Sequence, residues 1–120
     1  MDLNKLTTIE EIFTAELIAA SGVAYSRIFD VGKLDGLASL QITLADAGTG
    51  QFQVVSSNDE DALVAAFVIV NGYADIVTAF TAGTAIYTFT PPAVGRMAIK
   101  VTETAGGVAT ITVTAILALK

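Results

Sequence analysis

The chain has 120 residues, with 12 acidic and 6 basic side chains, a formal charge of −6 at pH 7, 53% apolar residues and no His, Cys or Trp. Without Cys and His there is no disulfide framework, thiolate nucleophile, imidazole base or sulfur- or imidazole-ligated metal, so any chemistry would rest on carboxylates, Lys or Tyr. The cations Lys5, Arg27, Lys33, Arg96, Lys100 and Lys120 are scattered and give no basic face for nucleic acid or an anionic membrane.

The first twenty residues carry two patterns. Thr8 and Glu11 have the spacing of a helical capping box, and Ile9, Ile12, Phe13 and Leu17 fall on one helical face. Phe13, Ala15, Leu17 and Ala19 also alternate with Thr14, Glu16 and Ile18 as in a strand. The expectation is an extended arm through about residue 11 and a strand at 12–20, with Ser21-Gly22 closing a hairpin onto a strand at 24–31. The chain then divides into an arm with a first strand (1–20) and one domain (21–120). The start lacks a basic region followed by an apolar one, which predicts synthesis and retention in the cytosol until assembly.

A turn at 33–36 precedes a strand at 37–45, where Ala38, Leu40, Ile42 and Leu44 alternate with Ser39, Gln41 and Thr43. The turn at 46–50 leads to a strand at 50–57 with Phe52 and Val54 opposite Gln51 and Gln53. After the polar residues 56–61 comes an apolar run, expected as a strand at 64–70 that a second subunit covers from outside, because it is apolar on both faces. Asn71-Gly72 marks a tight hairpin into a strand at 75–80. The turn at 81–84 and a strand at 85–90 follow, and Pro91-Pro92 marks a corner or edge. Residues 76–95 are free of charge, but nine of them are Thr, Gly or Pro, and a spanning helix needs about 20 predominantly apolar residues. Strands at 96–103 and 109–118 close the chain around the turn at 104–107.

Short strands separated by turns every 8–12 residues, with 38 of 120 residues Val, Ile or Thr, point to an all-β fold. The architecture expected is an antiparallel two-sheet β-sandwich, jelly-roll-like, with an N-terminal arm. Only 15% of residues are charged, where a free soluble surface usually carries about 25–35%. Much of the outside is therefore expected to lie against other subunits.

The oxygen-rich cluster Asn58, Asp59, Glu60 and Asp61 could be weighed as a calcium loop, but it lacks EF-hand spacing and a central Gly. It reads as an acidic turn. Asp30, Asp35, Asp46, Asp75 and Glu103 offer carboxylates for glycoside hydrolysis, yet nothing in the sequence pairs them across a cleft. Gly48-Thr49-Gly50 and Gly106-Gly107 lead into no helix with Lys-Ser/Thr, so they read as hairpin tips and not phosphate cradles. Tyr87 and Phe89 share one strand face and read as core or interface. No catalytic, cofactor or metal residue is assigned, and the protein is read as no enzyme.

Several pieces, in order, resemble a known family. They are residues 26–36 (Ser-Arg-Ile-Phe-Asp-Val-Gly-Lys-Leu-Asp-Gly), 39–42 (Ser-Leu-Gln-Ile) and 50–59 with its Val-Ser-Ser-Asn-Asp end. Then come 86–92 (Ile-Tyr-Thr-Phe-Thr-Pro-Pro), 97–104 (Met-Ala-Ile-Lys-Val-Thr-Glu-Thr) and the Thr-rich last strand. The set resembles small β-sandwich structural proteins of tailed-phage virions, of the capsid-decoration and head-fibre kind. The resemblance implies a jelly-roll-like sandwich that self-assembles, trimers being frequent, and sits on the capsid surface against the major capsid protein. It supplies no catalytic residues, and it departs after Asp59, where this chain shortens a loop. On this reading residues 1–20 dock on the shell or a neighbour, with Ile9, Ile12, Phe13 and Leu17 as contacts. The alternative is a glycan- or receptor-binding β-sandwich module, which the same fold also serves.

Overall fold

A computed structural model describes residues 8–30, 37–92 and 95–119. Nine strands and one short 3₁₀ turn follow in chain order: β1 (Thr8–Ile18), β2 (Val23–Tyr25), β3 (Phe29–Asp30), β4 (Ala38–Ala45), β5 (Gly50–Ser57), the turn Val64–Ala66, β6 (Val77–Phe80), β7 (Gly83–Phe89), β8 (Arg96–Glu103) and β9 (Ile111–Leu119). Sheet A has the order β1-β9-β4-β7 and sheet B the order β2-β8-β5-β6, with β3 also on β8. Every named pairing is antiparallel. Early and late strands alternate within each sheet, the arrangement of a jelly roll.

The period-two pattern accounts for this directly. Residues of one parity in β4, β8 and β9 are buried between the sheets, including Leu40, Ile42, Ile99, Val101, Val113 and Leu117. Phe52, from β5, fills the space between them. The opposite parity faces out. Pairing leaves no register break from Ala38↔Leu119 to Ala45↔Thr112, so the centre of sheet A is regular.

Five expectations are corrected. Residues 8–11 are strand and not arm, since β1 pairs with β9 from Thr8↔Leu119 onward. Ser21-Gly22 closes no hairpin, because β1 lies in sheet A and β2 in sheet B; the turn crosses between sheets, held by Gly22 N donating to Ala19 O at 2.8 Å. The strand expected at 24–31 is split into β2 and β3 at Ser26, whose buried hydroxyl accepts from Ile99 N at 2.9 Å in place of a plain ladder. The run at 64–70 is not a strand: it makes one 3₁₀ turn and a single bridge, Ser56↔Val68. Its partner edge on β5 is taken further along by β6, and Phe67 instead turns onto the outside of sheet B, against Val55 and Ala98. Asn71-Gly72 forms a turn, with Tyr73 N donating to Val70 O at 2.8 Å, but only Gly72 takes a positive φ of 82° and no hairpin flanks it. The turn expected at 33–36 and the first seven residues of the arm lie outside the described residues.

Candidate functional site

The two sheets present very different outer faces. On sheet A, outward residues line up in cross-strand rows. One row is Ile9, Ala118, Ser39 and Thr88; the next is Glu11, Ile116, Gln41 and Ile86. Beyond them lie Thr114, Thr43 and Thr84, then Leu17, Thr112 and Ala45. Glu11 is the one ionisable group in these rows. Ile9, Leu17 and Ile86 are largely exposed, and the hydroxyls of Thr43 and Thr84 meet at 3.1 Å across the strands. Nothing among the described residues covers this face.

Sheet B carries a cover made from its own chain. Phe67 is buried with Val55 and Ala98, and Ala62, Val64, Tyr25 and Ile28 pack around them. Arg96 holds the cover's rim: its guanidinium lies 5.4 Å from the centre of the Phe67 ring and donates to Asp59 O at 2.8 Å. Beside it runs an open groove of about 630 Å³ between residues 26–28 and 60–65. Its two guanidiniums are already engaged, Arg96 as above and Arg27 with Glu10 at 2.7 Å and over the Phe29 ring at 4.0 Å.

Beyond the cover, sheet B shows a polar patch. Tyr25, Lys100 and Gln53 form one row and Val23, Thr102 and Gln51 the next. Asp75 clasps both glutamines, accepting from Gln51 and Gln53 Nε2 at 2.9 Å each. Those hydrogen bonds hold its carboxyl below the usual range, against some burial.

Glu103 is the most constrained ionisable group. It is 1% exposed and accepts four backbone N–H bonds, from Ser21 (3.1 Å), Thr49 (2.9 Å), Ala105 (2.9 Å) and Gly106 (2.8 Å). Those bonds, Thr49 and Gly106 foremost, pull its carboxyl down to about 2. The donors belong to three loops, β1–β2, β4–β5 and β8–β9, each of which crosses between the sheets. One carboxylate thus clamps three crossovers at one end of the sandwich. Gly48 is obligatory beside it, since a Cβ there would sit 2.7 Å from Glu103 Oε2, from Ile111 Cγ2 and from Thr110 O.

The other carboxylates weighed for hydrolysis have separate local tasks. Asp46 accepts from Thr112 Oγ1 at 2.7 Å, Asp75 orders the glutamines, Asp30 ends β3 opposite Arg96, and Asp35 lies outside the described residues. The acidic cluster is a turn in which Asp61 N donates to Asp59 Oδ1 and Gly95 N to Asn58 Oδ1, at 2.9 and 2.7 Å. Gly48-Thr49-Gly50 and Gly106-Gly107 are not hairpin tips: they lie where the chain crosses between the sheets, and Thr49 N and Gly106 N donate to Glu103. Tyr87 meets Phe80 edge to face at 6.1 Å, and both pack on the core, as does Phe89.

The four expected contact residues are not brought together. Phe13 is buried in this chain's own core and Ile12 packs partly against it, whereas Ile9 and Leu17 face outward near the two ends of β1. Ile86, on the far side of the same face, carried no separate signal in the sequence. Glu103 did carry one: it stands at the buried parity of β8, after Met97, Ile99 and Val101.

No family model and no curated protein matches the chain. Among solved structures it is similar to a low-affinity xylan-binding module from the xylanolytic gut symbiont Roseburia intestinalis, at 15% identity and a TM-score of 0.45, covering 94% of this chain and 95% of the module. A likeness of that depth does not bear on ligand or partner.

Proposed function

We propose that this chain is a structural, non-catalytic protein that acts by assembly, of the capsid-decoration or head-fibre kind its sequence resembles, on a virion surface beside the major capsid protein. The observation that carries the reading is the outer face of sheet A: four strands wide, nearly free of charge, with Ile9, Leu17 and Ile86 exposed. A broad, sparsely charged face with large apolar side chains exposed on it fits a contact surface. A rigid sandwich repeated on a lattice turns modest single contacts into firm attachment, and no step of that mechanism needs a titrating group. The test is mass spectrometry of gradient-purified particles from a lysate of cells that carry the gene. The expected result is this chain in many copies per particle; its recovery in the unsedimented fraction alone would contradict the reading.

A second reading, a glycan-binding module, is favoured by the patch on sheet B, where Tyr25, Lys100, Thr102 and the clasped Gln51 and Gln53 place donors and acceptors beside an aromatic ring. A glycan array probed with the protein and with a Gln53→Ala variant separates the two. Binding that the substitution abolishes favours this reading, and a blank array removes it.

A further inference from the structure

We propose that two copies of this chain join through β7, edge to edge and antiparallel about a two-fold axis at Ile86, so that sheet A continues into its counterpart as one sheet of double width. The inference rests on the assembly reading above and names the surface and the partner, a second copy.

A free strand edge is a row of N–H and C=O groups complementary to any other strand, and proteins blunt such edges with charge, proline, bulges or short length. Three of the edges here are blunted. β1 carries Glu10, Glu11 and Glu16, two register shifts and a non-glycine residue, Ala15, at φ 46°. β2 and β3 have three and two residues, and β6 has four with a register shift in its pairing. β7 has none of these devices. It runs for seven residues, pairs with β4 without interruption from Ala38↔Phe89 to Leu44↔Gly83, and holds no charge, no proline and no bulge.

Electrostatics points to the same edge. Each copy carries −6, so two copies repel over most of their surfaces. Between Asp75 and Arg96 no Asp, Glu, Lys or Arg occurs, and β7 lies in that interval. The strand is also self-complementary. Ile86 is its middle residue, so a two-fold axis there sets Ile86 against its own counterpart and Thr84 against Thr88 of the partner subunit, with apolar or hydroxyl contacts throughout the outward row. Both pairs match.

The chain has no cysteine, which allows a direct test. Side chains directly opposite in an antiparallel pair have Cβ atoms about 4.5–5.5 Å apart, so the full-length Ile86→Cys variant should be captured as a covalent dimer by mild oxidation or a short bis-maleimide. Leu17→Cys is the matched control: Leu17 and Ile86 are each 65% exposed, at opposite edges of the same sheet. Capture at residue 86 should run at least tenfold faster than at residue 17, and Ile86→Lys should weaken the wild-type association measured by sedimentation at least tenfold. Equal capture at both positions, or association indifferent to Ile86→Lys, overturns the pairing and leaves the assembly reading standing. A wild-type protein that is monomeric at every concentration overturns both.

Discussion

The outer faces of the two sheets solve one problem in opposite ways. Sheet B cannot leave Val55 and Ala98 in water, and it covers them with Phe67 and the apolar residues around it. Among the described residues sheet A has no such segment; its outer rows of Ile, Leu, Thr, Ala, Ser and Gln face solvent with Glu11 among them and Asp46 hydrogen-bonded to Thr112 at one end. The lesson is that an apolar run within the chain can shield one sheet, whereas the other keeps its outer rows accessible, and those rows are the surface that the proposed assembly uses.

The largest effect is expected where both faces depend on one group. Glu103→Gln removes the charge that four backbone donors converge on, in loops that tie sheet A to sheet B. Because the native carboxyl lies at about 2, below its usual 4.5, its contribution is complete above the usual value and is lost as pH falls towards 2. Wild-type thermal melts should therefore drop steeply between these pH values, while the variant starts lower at neutral pH and responds less to acid. Next comes the cover of sheet B. Phe67→Ala should cost about 3 kcal/mol in urea unfolding, at the lower end for a buried aromatic because the satellite core is small. A loss under about 1 kcal/mol would mean that the cover does not protect this face. Smaller again is Arg27→Ala. Arg27 and Glu10 are 54% and 33% exposed, so losing their pair should cost about 0.2–1 kcal/mol and less in high salt. The smallest effect belongs to the bare face, where Leu17→Lys should shift stability by no more than about 0.5 kcal/mol while raising solubility. A large loss there would show that Leu17 belongs to the monomer's core.

Much of this contrast was legible in the residues. The alternation in 38–45, 50–57, 96–103 and 111–119 marks the four central strands, which the structure places within one or two residues of expectation. Low charge with abundant Thr raises the expectation of an outside that lies against other subunits, which the proposed assembly carries forward. Two of the failures share a cause, since local pattern does not say which sheet a strand joins. The apolar run at 64–70 reads as a strand by composition but becomes the cover of sheet B. Ser21-Gly22 reads as a hairpin but is a crossover, because β1 finds β9 at the other end of the chain. The four apolar residues of the first segment looked like one contact set on a helical face. In a strand with two register breaks, Phe13 turns inward and Leu17 outward. The edge residue Ile86 is visible only once β7 is known to end a sheet.

Sedimentation velocity of the unmodified protein, from low to high micromolar concentration in physiological salt, probes the bare face most directly. The expected result is a mass that climbs above the 12.4 kDa of one chain as concentration rises. A single 12.4 kDa species across the whole range would contradict the claim that this face exists to be covered.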